Sequence, residues 1–140
     1  MTERIMEQTM ANPVTIDFKR DNSGEWRVVG GGSAKNHKTT VEGVSNQQLI
    51  FALTQDMIQK GYRFDVNDPI WVAVDNGQCP PSGASNGQIT LVPPATASQV
   101  TVSDANSAPV VLRYQLNVFD ENGDSAPIDP IIDNRGGGGI

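Results

Sequence analysis

Apolar and polar residues alternate near the start of the chain in a pattern typical of half-buried β-strands. Val14 to Lys19 alternates in this way, and Glu25 to Val29 continues the pattern after the turn-forming residues Asp21 to Gly24. Successive side chains of a strand point to opposite faces, so one face of each segment would lie on a core and the other in solvent. Because only a short turn separates the two segments, the sequence predicts a β-hairpin here.

The segment Ser45 to Gly61 fits two structures. As a helix, it would begin at a capping box formed by Ser45 and Gln48 and end at Gly61. As a strand, the alternating apolar residues of Leu49 to Leu53 would share one face. The strand interpretation leaves room for a short helix over Gln55 to Lys60.

A weak internal repeat favours the strand. The sequence LIFAL at Leu49 to Leu53 is followed by a glycine and then by Asp68-Pro69-Ile70. The sequence LRYQL at Leu112 to Leu116 is likewise followed by a glycine and then by Asp129-Pro130-Ile131. In the second copy, alternate apolar residues from Val110 to Val118 would share one strand face. We therefore expect the first copy to be a strand as well.

Further apolar runs between turn signals predict the remaining strands. These runs are Ile70 to Val74, Gln88 to Val92, Ser98 to Ser103 and, last, Ile128 to Asp133. Pro13, Pro69, Pro109 and Pro130 suit strand beginnings and edges, where proline is tolerated. Short strands with regular turn signals are typical of a sandwich or barrel. We predict an all-β fold: an antiparallel β-sandwich of about eight short strands, with at most one short helix within residues 45–61.

Length, composition and charge limit the organisation and the partners. The 140 residues suit one domain, and we assign residues 1–12 to a polar N-terminal arm, 13–135 to the sandwich and 136–140 to a flexible glycine-rich tail. The net charge is -6 and the basic residues are scattered, which argues against nucleic acid as a partner. The sequence shows no basic amphipathic stretch, signal peptide or transmembrane segment, so no membrane partner is predicted and the expected compartment is the cytoplasm.

Most conventional catalytic and metal sites are excluded by the residues present. Cys79 and His37 are the only cysteine and histidine, which leaves too few ligands for a zinc site and no intrachain disulfide. The glycine run Gly30 to Gly32 lacks the lysine and helix start of a phosphate-binding loop. Asp120 to Asp124 departs from the spacing of a calcium loop and predicts a hairpin turn instead. We therefore predict no metal, no cofactor and no conventional multiple-turnover activity.

The Asp129-Pro130 bond is the one candidate for chemistry. The prolyl amide is tertiary and carries no N–H, and the neighbouring carboxyl of Asp129 can attack its own carbonyl carbon through a five-membered ring. Burial of that carboxyl and a second carboxyl would assist the reaction. Asp133 lies on the same face of an extended segment, but about 13 Å away, so the two cannot share a proton directly. An Asp-Pro pair is also an ordinary turn dipeptide.

The residues LRYQL at Leu112 to Leu116, the following Gly123 and IDPIIDN at Ile128 to Asn134 resemble the small bacterial DP-EP family. The resemblance is clearest over the last 30 or so residues, and the upstream NDPI at Asn67 to Ile70 extends it weakly. It implies a short β-sandwich protein without a signal peptide, related to a self-cleaving, aspartic-peptidase-like activity at a C-terminal Asp-Pro bond.

Carried over to this chain, the resemblance makes Asp129 the acyl side of the scissile bond and Pro130 the new N-terminus. Asp133, Tyr114 and Arg113 complete the candidate site. Capture of the activated aspartyl group by a lysine is not expected, because no lysine follows Lys60 and arginine is a poor nucleophile.

Two functions from different classes remain. The first is an assembly or interaction module that forms a homo-oligomer through its arm or edge strands, with self-processing at Asp129-Pro130 as an accompanying step. The alternative is a single-turnover autoproteolytic protein whose main activity is the cleavage itself. We favour the first, because cleavage can be incidental to assembly and the terminal segments are suited to pairing across sheet edges. The residues show no nucleophile–base pair, metal set or cofactor fingerprint of a conventional multiple-turnover enzyme.

Overall fold

The computed structural model describes residues 12–30, 34–35, 38–43, 45–128 and 131–135. The described residues form twelve β-strands and one α-helix, α1 (Gln55–Lys60). The strands are β1 (Val14–Arg20), β2 (Trp26–Gly30), β3 (Ala34–Lys35), β4 (Lys38–Val41), β5 (Gln47–Leu53), β6 (Arg63–Phe64), β7 (Ile70–Val74), β8 (Ile89–Val92), β9 (Gln99–Asp104), β10 (Pro109–Leu116), β11 (Val118–Phe119) and β12 (Ile131–Arg135). The all-β prediction is confirmed.

Two five-stranded sheets face each other, and β6 and β11 form a small additional pair. The first sheet has the order β2-β1-β5-β9-β8, and the second has the order β3-β4-β12-β10-β7. Most neighbours are antiparallel, but β1 runs parallel to β5 and β4 runs parallel to β12. Between the members of each parallel pair the chain visits the opposite sheet, which supplies the crossover that parallel neighbours require. Residue periodicity carries no information on this relative direction.

The core lies between the two sheets and comes from alternate residues of the strands. In the first sheet, Phe18 and Phe51 are fully buried and their rings pack 6.2 Å apart. Phe51 meets Tyr114 of the second sheet at a ring separation of 4.9 Å. Leu112, Tyr114 and Leu116 alternate inward along β10, as predicted. Burial of one such side chain stabilises the fold by about 1.5–3 kcal/mol.

The ambiguous segment resolves as a strand followed by a helix, which confirms the favoured interpretation. Gln47–Leu53 is the central strand of the first sheet, and Thr54 rather than Ser45 is the N-cap of α1. The helix ends at Gly61, whose φ of 99° is left-handed. The N–H of Gly61 donates to Ile58 O at 3.0 Å, which satisfies a carbonyl at the helix end.

The predicted hairpin of β1 and β2 is confirmed and contains one irregularity. Phe18 pairs with Val28 while Asp17 pairs with Gly30, so Val29 is an extra residue on β2. Such a bulge bends and twists a strand, and it commonly occurs at a sheet edge. Val29 is 54% exposed at this edge.

The predicted last strand, Ile128 to Asp133, is described in part. Ile128 forms a bridge with Leu116, and β12 pairs with β10 from Ile131 onward in the same antiparallel register. Asp129 and Pro130 lie outside the described residues, as do residues 1–11 of the arm and the tail at 136–140. The larger number of strands arises partly because β3, β6 and β11 have two residues each, too few to produce a periodic signal.

Within the described ranges, no helix is long and apolar enough to cross a membrane.

Candidate functional site

A groove opens between β7 and β8, the edge strands of the two sheets. Its apolar surface comes from Ile70 and Val72 on one side and from Ile89 and Leu91 on the other, and its volume is about 240 Å³. Polar residues form the rim, including Asn67 and Asp68 before β7 and Ser85 and Asn86 before β8. Sites for drug-sized ligands are usually about 300–1,000 Å³, so a space of this size suits one or two side chains better.

The long loop between β7 and β8 forms one wall of the groove through its own hydrogen bonds. Asp75 begins the loop and accepts a hydrogen bond from the N–H of Gly77 at 3.0 Å. Further along, the N–H of Val72 in β7 donates to Ala84 O at 3.0 Å, which attaches the loop to that strand. The N–H of Ile89 donates to Asn86 O, also at 3.0 Å, where the loop enters β8. The loop therefore occupies part of the β7 edge and leaves the groove beside β8.

Hydrogen bonds from Trp71 and Asn117 hold the Asp68-Pro69 pair at the rim. Trp71 Nε1 donates to Asp68 Oδ2 at 2.9 Å. Asn117 Nδ2 donates to Asp68 O at 2.6 Å, and Asn117 N donates to Pro69 O at 2.9 Å. Pro69 is buried while Asp68 is exposed. The hydrogen bond from Trp71 opposes rotation of the Asp68 carboxylate toward its own carbonyl carbon.

The β8 edge presents backbone groups to solvent. Ala105 N donates to Gln88 O at 2.8 Å, so Gln88 and Ala105 form a hydrogen-bonded pair. Hydrogen-bonded and non-hydrogen-bonded pairs alternate along an antiparallel ladder, so the adjacent pair Ile89–Asp104 is non-hydrogen-bonded. The pattern repeats every second residue, so Leu91 and its partner Val102 are also a non-hydrogen-bonded pair. The N–H and C=O of Leu91 therefore point away from β9, toward the open side of the sheet. No described residue accepts a hydrogen bond from the N–H of Leu91.

The structure describes the residues on both sides of the predicted scissile bond, but not Asp129 or Pro130. Upstream, Ile128 and Leu116 exchange backbone hydrogen bonds of 2.7 and 3.0 Å. Downstream, β12 lies in the middle of the second sheet, between β10 and β4. Asp133 is in register with Val111 of β10 and with Thr40 of β4. The chain is therefore held on either side of the bond.

Arg113 and Tyr114 are neighbours in sequence, so they lie on opposite faces of β10, and the structure does not bring their side chains together. Arg113 Nε donates to Asp75 Oδ1 at 3.1 Å on the outer face of the second sheet. The N–H of Gly77, together with the Arg113 guanidinium, lowers the pKa of the Asp75 carboxyl. Arg113 thereby ties the start of the long loop to β10.

Tyr114 is fully buried on the inner face, and burial raises the pKa of its phenol well above the ordinary value. Thr39 shifts that pKa in the opposite direction, but no described residue forms a hydrogen bond of good geometry with Tyr114 Oη. A buried phenol with a raised pKa is poorly suited to give up its proton.

The structure also bears on the other sequence candidates. Asp120 Oδ1 accepts hydrogen bonds from the N–H groups of Asn122 and Asp124, both at 2.9 Å, so this segment is the predicted hairpin turn. Cys79 is exposed in the long loop, and His37 lies outside the described residues. Over the described residues, no group of three or more His, Cys, Asp or Glu side chains is placed to hold a metal ion.

No protein-family model matches the chain, and a comparison with curated proteins also finds no match. The DP-EP resemblance therefore stays a prediction.

Sequence reasoning did not identify the groove. Its two sides come from residues 67–72 and 84–91, which belong to different sheets and are joined by the long loop. The only signal in the sequence was the length of that loop, which is rich in proline, glycine and asparagine.

Proposed function

We propose that this chain is a β-sandwich interaction module that assembles with further copies of itself through an exposed sheet edge. The observation that carries the proposal is the outward-pointing backbone of Leu91 on β8. An edge strand with unpaired N–H and C=O groups is a template for pairing with another strand. The groove beside β8 adds apolar surface that a partner would cover.

Two other edges of the sandwich are less suited to pairing. On β2 the bulge at Val29 interrupts the regular spacing of the backbone groups. On β7 the N–H of Val72 is already bonded to the long loop. These features leave β8 as the most accessible edge among the described strands other than the two-residue β3.

Light scattering over a range of concentrations tests this proposal, together with two substitutions at one position. Leu91→Pro removes the outward N–H, and an edge strand tolerates this change because that N–H makes no ladder hydrogen bond. Leu91→Ala also removes most of the side chain but keeps the N–H. We expect the native chain and Leu91→Ala to associate, and Leu91→Pro to be monomeric with an unchanged β-type circular dichroism spectrum. A native chain that stays monomeric at every concentration would show the proposal to be wrong.

We also propose that the chain processes itself at Asp129-Pro130. The resemblance to the DP-EP family supports this, as do the contacts on either side of the bond. The backbone of Ile128 is hydrogen-bonded to that of Leu116, and β12 pairs with a neighbouring strand on each side. Cleavage would therefore leave both new ends attached to the fold. The carboxyl group of Asp129 would attack its own carbonyl carbon and form a cyclic anhydride, while the proton of that carboxyl group passes to the prolyl nitrogen and the C–N bond breaks. Water would then open the anhydride, which adds one water across the two fragments.

Mass spectrometry of the purified chain over days at pH 5 and pH 7 tests the reaction. Asp129→Asn removes the carboxylate nucleophile and should stop cleavage while the fold survives. Pro130→Ala restores a secondary amide and should slow cleavage strongly. Asp68-Pro69 is an internal control that should remain intact, because Trp71 holds its carboxylate away from the carbonyl carbon. A native chain that stays whole, or an Asp129→Asn chain that breaks at the native rate, would rule out this mechanism.

A further inference from the structure

We propose that residues 1–11 of a neighbouring copy bind as an added strand along β8 and place an apolar side chain in the groove between β7 and β8. This inference rests on the proposed self-assembly and names the segment and the surface that would form the contact. It assigns a role to the polar arm that precedes the sandwich.

The arm leaves the sandwich at the end of the first sheet where β8 begins. Gln47 Nε2 donates to Asn12 O at 2.7 Å, so the chain just before β1 is attached to the start of β5. Gln47 is in register with Asp104 of β9, and Asp104 is in register with Ile89 of β8. Neighbouring strands are about 4.8 Å apart, so Gln47 and Ile89 are separated by about 10 Å across the sheet.

The distance across the first sheet favours binding of residues 1–11 between copies over binding within one copy. To pair with its own β8, the arm would have to cross from β1 past β5, β9 and β8, a distance of about 19 Å that consumes about six residues. Met6 and Met10 would then lie in the crossing segment and could not pair with β8. The arm of a neighbouring copy has no such crossing to make, so both residues can reach β8.

The side chains of the arm suit the groove and its rim. Ile5, Met6 and Met10 are its larger internal apolar residues, and methionine adapts well to irregular apolar spaces. Arg4 and Met6 would lie on the same face of an extended strand. With Met6 in the groove, Arg4 would be within reach of the exposed Asp68 carboxylate at the rim.

Disulfide trapping in the full-length chain tests the contact and distinguishes binding within a copy from binding between copies. In a Cys79→Ser background, one chain carries Met6→Cys and a second chain carries Ser85→Cys. Ser85 lines the groove and is exposed, and cysteine is nearly the same size as serine. After mixing and mild oxidation, we expect a covalent heterodimer at a yield about tenfold above that of a control in which Val29→Cys replaces Ser85→Cys. A chain with both substitutions should form dimers rather than an intrachain disulfide.

Several results would overturn the inference. One is a heterodimer yield no higher than that of the Val29→Cys control. Another is a doubly substituted chain that forms only the intrachain disulfide and no dimer. A third measurement separates this inference from the proposed function. If light scattering shows association that persists after residues 1–11 are deleted, the arm is not the contact, although self-assembly stands. If the native chain is monomeric, both proposals are wrong.

Discussion

Replacing Tyr114 by phenylalanine removes one oxygen from the centre of the sandwich and leaves the ring in place. Tyr114 is 0% exposed, and its ring packs 4.9 Å from that of Phe51. Thr39 acts on the hydroxyl group of Tyr114, but no described residue forms a hydrogen bond of good geometry with it. The native chain therefore buries a poorly satisfied polar group that water satisfies in the unfolded state. We therefore expect Tyr114→Phe to stabilise the fold.

The expected gain follows from the cost of burying an unpaired hydroxyl, which is about 1–3 kcal/mol. Since the substitution conserves the ring and removes only one atom, the small cavity left behind offsets part of this gain. We expect a net increase of about 1–2 kcal/mol in the free energy of unfolding. For a chain of this length, this corresponds to a rise in the melting temperature of about 4 °C per kcal/mol.

A pH series gives a second readout of the same group. Burial raises the pKa of Tyr114 in the folded state, so the folded chain keeps the phenol neutral at a pH where the unfolded chain ionises it. The associated stability is present below the unfolded pKa of about 10 and is lost as the pH rises above it. Tyr114→Phe should therefore lose less stability than the native chain between about pH 9.5 and 11.

Urea unfolding of the native chain, of Tyr114→Phe and of Tyr62→Phe forms the assay. Tyr62 is the matched control, because its hydroxyl accepts a hydrogen bond of 3.4 Å from Arg20 Nη1 and is only partly buried. We expect Tyr62→Phe to be neutral or to destabilise by up to about 1 kcal/mol. If Tyr114→Phe destabilised the chain by 1 kcal/mol or more, the hydroxyl would have a good hydrogen bond in the folded state and the reasoning would be refuted.

Two further predictions concern turns. Gly61→Ala should lower the free energy of unfolding by about 1–2 kcal/mol, because alanine adopts the left-handed φ of this position only at a steric cost. The new Cβ would also lie 3.3 Å from Glu121 Cβ, which adds to the cost. Gly43→Ala is the control: its φ is also positive but the space around it is open, so it should cost less in the same urea assay. Hydrogen bonds from Ser23 and Arg27 lower the pKa of Asp21, so its stabilising contribution is present above the unfolded pKa of about 3.9 and is lost as the pH falls below it. Asp21→Asn should therefore reduce stability at pH 7 and reduce it by a smaller amount near pH 2, where part of the contribution has been lost, and an equal loss at both values would contradict the assignment.

The chain's local patterns were sufficient to predict most of its longer β-strands, its short helix and several of its turns. Alternation along Leu112 to Leu116 identified an inward face because side chains of a strand alternate whatever the neighbours are. Gly61 marked the end of α1 because a left-handed residue is needed there, and glycine adopts that conformation without a steric cost. Pro69 and Pro109 marked the starts of β7 and β10, since proline cannot donate to a strand ladder.

The arrangement of these elements was decided only by tertiary packing. The sequence does not show that β1 and β5 run parallel, because strand direction depends on which sheet the intervening chain visits. The sequence also does not show the groove, which is lined by Val72 from one sheet and Leu91 from the other. Arg113 forms an ion pair with Asp75, a residue 38 positions earlier in the chain. Contacts of this kind join residues far apart in the sequence, so local periodicity does not predict them.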